Sequence, residues 1–239
     1  EDDNLNNLDL RQLIELMEYA LIITILDAAE SHKIIHISQI LYHRRENNYK
    51  FLKDSKKILF DIKREILQEY LNRKVDININ NEIAKLDHIS EHKKDERKKD
   101  LKVEKADNPK SFRIRYPIKD NVMVSIIIPF KDCPEVLDRA VKSVLNKSTF
   151  LNYEIICVDN QSSNPSTFRL IKQLNSLSNV NVIPYNDSFN FAKINNHAVK
   201  YAKGDMLLFL NSDTEVISEE WIEAMLEHAC RKSVGAVGA

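Results

Sequence analysis

The chain has 239 residues, 43% hydrophobic and 30% charged, with a formal net charge of −1. That is apolar enough for a real core and long enough for two domains, while the balanced charge excludes a globally basic nucleic-acid binder. Its only glycines are Gly204, Gly235 and Gly238, so neither a P-loop nor a G-x-G-x-x-G turn can form, which excludes P-loop NTPases and typical dinucleotide-binding dehydrogenases.

Residues 1–90 are expected to form a mainly helical segment. In "LRQLIELMEYALIITILDAAESH", residues Leu10, Leu13, Ile14, Met17, Leu21 and Ile25 share one helical face. The run "YALIITIL" is about eight residues, far short of the ~20 a spanning helix needs, and is read as part of a buried helix. A strand-like run at 34–37 follows, then Leu41 and Tyr42. In "FLKDSKKILFDIKREILQEYLNRK", Phe51, Leu52, Ile58, Leu59, Ile62, Ile66, Leu67 and Tyr70 recur at three and four, an amphipathic helix. Residues 91–110 are read as a charged linker. Opposite charges interleave in "EHKKDERKKDLKVEK", the pattern of a solvated helix or linker rather than a nucleic-acid patch. His88 and His92 stand four apart but lack a nearby third ligand, and are read as surface histidines.

From 111 to 239 short apolar runs alternate with helical patterns. Strands are expected at 123–129, 153–159, 179–185 and 205–210. Helices are expected at 134–147 (Val136, Leu137, Ala140, Val141, Val144 and Leu145 inward), 165–177, 191–204, closed by Gly204, and 218–232. The strands are near-continuous Val, Ile and Leu, as when both sheet faces are covered. The alternation predicts an open, mainly parallel α/β sheet with flanking helices, whose ligands bind beyond the carboxyl ends of the strands. Cys133, Cys157 and Cys230 are odd in number and lack metal-ligand spacing, so they are read as free thiols of a reducing cytoplasm.

Each strand end carries polar groups: Pro129, Phe130, Lys131 and Asp132 after the first, Asp159 and Asn160 after the second, Asn211, Ser212 and Asp213 after the fourth. An Asp after a strand is often only a turn or N-cap residue. Several on one rim would repel one another, and a divalent cation taking hard oxygen ligands, Mg²⁺ or Mn²⁺, would relieve that repulsion.

The stretches "VSIIIPFKDCPEVLDRAVKSVLNKSTFLNYEIICVDNQSSNPST" and "FNFAKINNHAVKYAKGDMLLFLNSDTEV" resemble glycosyltransferase family 2, with its GT-A nucleotide-sugar fold, from about Tyr116 onward. The resemblance implies a base pocket shaped by Pro129 and Phe130, a uracil or thymine contact from Asp159, and Asn196 in place of the Asn of "ARNxG", with Lys193 reaching phosphate. It places "NSD" at the metal-binding D-x-D: Asp213 binds Mn²⁺ or Mg²⁺ bridging the diphosphate, and Asn211 replaces the first Asp. Asp132, Asn160 and Ser212, from the same strand ends, complete the expected nucleotide-sugar-binding set.

The implied activity is inverting transfer of a sugar from a UDP- or dTDP-sugar to a glycan or lipid-linked acceptor in polysaccharide biosynthesis. The implied location is cytoplasmic, compatible with peripheral contact at the inner membrane face. The family's base lies in a later motif, so 111–239 reads as the donor half of one module, inactive alone. "MEYALIITILDAAESHKIIHISQILYHRR" resembles the tail of an upstream module, with Glu18 as that module's base, His36 and His43 either as acceptor or diphosphate contacts or as core or surface histidines, and Tyr42, His43 and Arg45 on its "YHWR". The chain is then a piece of a tandem glycosyltransferase. The competing readings are a non-catalytic pseudo-enzyme or interaction module and, against the lack of a glycine-rich phosphate loop, another metal-dependent nucleotide enzyme such as a nucleotidyltransferase.

Overall fold

The computed structural model describes residues 8–28, 53–83, 101–106, 108 and 111–238. The expectations for 34–37, His36, Leu41, Tyr42, His43, Arg45, Phe51, Leu52, His88 and His92 lie outside these residues. The chain divides into two compact units, Glu1–Pro117 and Ile118–Ala239.

The first unit contains helix α1 (Leu10–Ala28), helix α2 (Lys53–Ile83) and, after them in the chain, an antiparallel pair of strands, β1 (Lys102–Lys105) and β2 (Phe112–Arg115). A reciprocal cap starts α1: the Asp9 carboxylate accepts from Gln12 N at 2.8 Å and the Gln12 amide oxygen accepts from Asp9 N at 2.9 Å, which satisfies two otherwise orphaned donors. The face of α1 that is buried carries Gln12 and Leu16. Of the stripe expected inside, Leu10, Ile14, Met17, Leu21 and Ile25 are exposed, with Leu10 at 74%, and Leu13 is half-buried. Periodicity identifies the apolar face of a helix but not whether its partner lies within the same stretch of chain. The contacts of α2 are concrete: Lys63 pairs with Glu15 and lies over the Tyr19 ring, and Phe60 stacks obliquely on Phe112 at 4.5 Å. Gln68 clamps β1 by donating to Leu101 O at 2.6 Å and accepting from Val103 N at 2.8 Å. The charged linker expected over 91–110 therefore contains a strand at its end. Alternating burial of Val103 between Lys102 and Glu104 suits a half-exposed hairpin.

The second unit is a parallel sheet in the order β5-β4-β3-β6, built from β3 (Val124–Phe130), β4 (Tyr153–Asp159), β5 (Val180–Pro184) and β6 (Met206–Phe209). Between them run α3 (Pro134–Lys147), α4 (Pro165–Leu174) and α5 (Phe191–Val199), and α6 (Trp221–Ala229) follows. One sheet face, with Val124, Ile126, Ile128 and Phe130 of β3, packs with Leu137, Val141 and Val144 of α3, Leu170 and Leu174 of α4, and Ile222 and Leu226 of α6. The other, with Ile127, Ile156 and Val158, packs under Ile194 and Ala198 of α5. The expected α/β class and every expected strand and helix from 123 onward are present, with ends trimmed by a few residues, the usual uncertainty of helix and strand termini.

Two details differ. The run Leu207 to Leu210 reads as a core strand, but β6 is the edge strand, so Leu207 and Phe209 are exposed on one face while Met206, Leu208 and Leu210 pack on the other. Gly204 does not close α5, which ends at Val199. It lets the chain enter β6 against β3: a Cβ there would sit 2.6 Å from Ser125 N and 2.8 Å from Met123 O, distances no side chain tolerates without moving backbone. The approach is fixed by Gly204 N donating to Ser125 Oγ and by the buried Glu154 carboxylate, which accepts from Ser125 Oγ and Lys203 N. The three cysteines are free thiols, and burial pushes the Cys157 thiol up to about 12. Gly204→Ala is expected to destabilise the chain by about 1–3 kcal/mol through overpacking. Thermal unfolding checks this; an unchanged midpoint would contradict the close approach.

Candidate functional site

Because β3 to β6 are all parallel, their carboxyl ends share one rim. Phe130 is level with Asp159, and Asp159 with Pro184. β6 pairs with β3 as far as Phe209, and Leu210 N still reaches Ile127 O at 2.9 Å. The chain then leaves the sheet in a turn closed by Thr214 N donating to Asn211 O at 3.2 Å. Asp159 therefore ends β4 and Asp213 follows β6 by four residues; these two strands flank β3 and run about 10 Å apart at the usual strand spacing.

The rim acids have different surroundings. Asp132 and Cys133 both have left-handed backbone, φ 51 at each, which costs energy for residues with a Cβ and persists only where contacts hold it. Asp132 Oδ1 accepts from Ser163 N at 2.9 Å and Asn164 N at 2.8 Å, and Asp132 N donates to Ser162 Oγ at 2.7 Å. These bonds tie the β3 loop to the β4 loop. The Asn164 and Ser163 amides hold the Asp132 carboxyl below the usual carboxylate range. Asp159 Oδ1 accepts from Ser162 N at 3.0 Å, closing the turn after β4. Asn160 is buried: its N–H donates to Phe130 O, and its side chain donates to Asp187 O at 2.9 Å, tying β4 to the loop after β5. The Phe130 ring packs in the core, while Pro129 is half-buried.

Asp213 differs from both. It is exposed, and among the described residues no hydrogen bond or ion pair engages its side chain. Asn211 is exposed beside it and Ser212 is half-buried. Lys193 and Asn196 are exposed on α5, whose N-cap is the Asn190 side chain accepting from Lys193 N at 3.0 Å. Glu18 is exposed on α1, in the other unit.

Asp132 and Asp159 each already accept hydrogen bonds from loop amides. Among the described residues no group of three or more His, Cys, Asp and Glu could hold a metal. The donors around Asp213 still suit one kind of ion: a hard divalent cation held by a single carboxylate, with its remaining positions filled by phosphate oxygens and water.

Sequence reasoning missed three features. Asn195, beside the expected Asn196, is 6% exposed and its Oδ1 has no hydrogen-bond partner among the described residues; the Asn doublet in "INNHA" was the available signal. The amides of residues 162–164 that receive Asp159 and Asp132 had no side-chain signature. The third is a pair of α3 side chains, Ser143 and Lys147, that grip Val216; a serine within an otherwise apolar helix face was the visible hint.

Residues 125–239 match the model of Glycosyl transferase family 2. A stretch of 130 residues is 41% identical to the O-antigen biosynthesis protein RfbC of Myxococcus xanthus, covering 54% of this chain and 10% of that protein. A stretch of 108 residues is 32% identical to the UDP-Glc:alpha-D-GlcNAc-diphosphoundecaprenol beta-1,3-glucosyltransferase WfgD of Escherichia coli, covering 45% of this chain and 40% of that protein. Among solved structures, S. aureus TarS 1-349 aligns with a TM-score of 0.40 and 24% identity, over 45% of this chain and 32% of that one. The matched region spans less than half the length of each of these relatives.

The Asp132 clamp has a signed pH dependence. Its folded pKa lies below the ordinary 3.8, so its stabilisation is complete above that value and is lost as pH falls through the lower folded value. Denaturant unfolding of the native chain and Asp132→Asn is expected to show a difference near neutrality that closes as pH falls below the ordinary Asp value. A difference constant with pH would contradict the charged clamp.

Proposed function

Because residues 125–239 belong to glycosyl transferase family 2, we propose that the carboxyl rim binds a nucleoside-diphospho-sugar, a UDP- or dTDP-sugar, with Mn²⁺ or Mg²⁺ held by Asp213. The observation that carries this reading is the contrast along the rim. Asp132 and Asp159 are bound by loop amides, and Asp213 is presented unengaged on an exposed turn at the end of a rigid strand. Its carboxylate holds the cation, and the side-chain oxygens of Asn211 and Ser212 lie within the same turn. When bound, the cation supplies Lewis-acid stabilisation of the negative charge that grows on the departing nucleoside diphosphate.

The chain's own residues bind and orient the donor. Asp159 keeps a second carboxylate oxygen beyond the one that accepts from Ser162 N, and it accepts from the pyrimidine ring. Pro129 and the backbone at Phe130 border the base. The Asp132 and Asn160 bonds fix the two loops on which these contacts sit, which lowers the ordering cost of binding. Lys193, at the first turn of α5, meets phosphate, and Asn196 on the same helix faces the donor.

The reaction is transfer of the sugar, by direct displacement with inversion at its anomeric carbon, to a glycan or lipid-linked acceptor. The names of the relatives, an O-antigen biosynthesis protein and a diphosphoundecaprenol-directed glucosyltransferase, support polysaccharide assembly as the setting. Among the described residues no helix is long and apolar enough to cross a membrane. Peripheral contact with a lipid-linked acceptor at the cytoplasmic face is part of the same proposal. A non-catalytic relative of the family is the second reading, favoured by Asn211 where an Asp is usual.

Titration of UDP and dTDP into the 239-residue chain, with and without Mn²⁺, separates the two. Binding strengthened by Mn²⁺ is expected, with Asp213→Ala weakening the Mn²⁺-dependent component by more than about tenfold, or ~1.4 kcal/mol. Binding indifferent to both Mn²⁺ and the substitution would overturn the donor-site reading.

A further inference from the structure

The turn that carries Asp213 is anchored at both ends, and the second anchor is made by side chains. Val216, three residues past Asp213, is buried and belongs to no strand. Its N–H donates to Ser143 Oγ at 3.0 Å, and its C=O accepts from Lys147 Nζ at 2.6 Å. Two consecutive turns of α3 thus bind one residue by both backbone groups, as a neighbouring strand would. Ser143 is itself buried, and its hydroxyl donates to Ala140 O at 2.8 Å, which leaves a lone pair for the Val216 amide. Lys147 also reaches Glu215 Oε1 at 3.3 Å. At the front, Leu210 N is bonded to Ile127 O of β3. Residues 211–215 therefore span two fixed points, the sheet and α3.

A buried serine in an apolar helix face is costly unless its hydroxyl is satisfied, and alanine would be the better helix former there. The Val216 amide accounts for it. The Lys147 bond is charge-assisted and shorter than its contact with the Glu215 carboxylate, so the ammonium serves a backbone carbonyl more than a surface ion pair. Resting on the reading of Asp213 as the cation carboxylate, we propose that Ser143 and Lys147 are positioning residues, which hold the 211–215 turn so that Asp213 is preorganised for the divalent cation and its diphosphate.

The test uses the full 239-residue chain and three variants, Ser143→Ala, Lys147→Met and Lys147→Arg. Amide hydrogen exchange at Thr214 and Val216 reads the bracket directly, and titration with UDP, dTDP, GDP and CDP, with and without Mn²⁺, reads the site. Ser143→Ala and Lys147→Met are expected to speed exchange at Val216. They are also expected to weaken Mn²⁺-dependent binding about tenfold, the scale seen when groups supporting a metal ligand are removed, while metal-free binding is unmoved. Lys147→Arg, which can still donate to the carbonyl, restores the affinity. Should Ser143→Ala fail to fold, the two Lys147 variants decide. Faster exchange with unchanged Mn²⁺-dependent affinity overturns the positioning role and leaves the Asp213 reading standing. No Mn²⁺-dependent binding of any of the four nucleotides by the unsubstituted chain overturns both, with exchange then reporting only a structural clamp.

Discussion

The second unit depends on the burial of β3 between two parallel neighbours and two helical layers. Ile126, Ile127 and Ile128 are wholly buried, alternating between the two faces of the sheet. Burial of such side chains contributes roughly 1.5–3 kcal/mol each, and their alternation fixes the register, since a one-residue slip would exchange the two faces. With β3 fixed, the pairings of β4 and β6 follow, and with them the height at which each strand releases its chain at the rim. Glu154, Ser125 and Gly204 lock the opposite end of the same strands. A rim of polar turns is thereby mounted on a support that has little freedom to shift.

The rim shows how one residue type takes separate roles by local donor supply. Where the following loop turns its amides inward, as at residues 162–164, an aspartate becomes a folding element, and for Asp132 those amides stabilise the charged form. Where the chain leaves an edge strand, as at 211–214, no such amides converge among the described residues and the carboxylate stays exposed. The tolerance of left-handed backbone at Asp132 and Cys133 follows from the first arrangement, because three hydrogen bonds through Asp132 offset the strain. The second leaves a carboxylate available for the proposed cation and its own anionic ligand.

Much of the α/β unit was legible in the sequence because its signals are local. Continuous Val, Ile and Leu runs bounded by Pro, Asp and Asn mark buried parallel strands, and α3 spans the residues its apolar spacing marks out, Pro134–Lys147. What was illegible depends on partners. The stripe of α1 reads as inward, yet most of it is exposed, because spacing alone says nothing of what packs there. β6 reads as a core strand, but its edge position leaves Leu207 and Phe209 uncovered. The hairpin of β1 and β2 is hidden by charge, since Lys102, Glu104 and Lys105 look like linker until Gln68 of α2 is seen to clamp the strand. At the rim the residues were identifiable but not their roles: Asp132, Asp159 and Asp213 look alike in sequence, and only backbone amides from another loop separate them.

If Asp213 carries the divalent cation at the carboxyl rim, backbone amide NMR of the chain with UDP, comparing Mg²⁺ with paramagnetic Mn²⁺, will show it. The expected Mn²⁺ broadening is centred on residues 212–214, weaker at Asp159 and weakest at Ser125 and Gly204 on the far end of the sheet. Broadening centred anywhere else, or none at saturating nucleotide and metal, would contradict it.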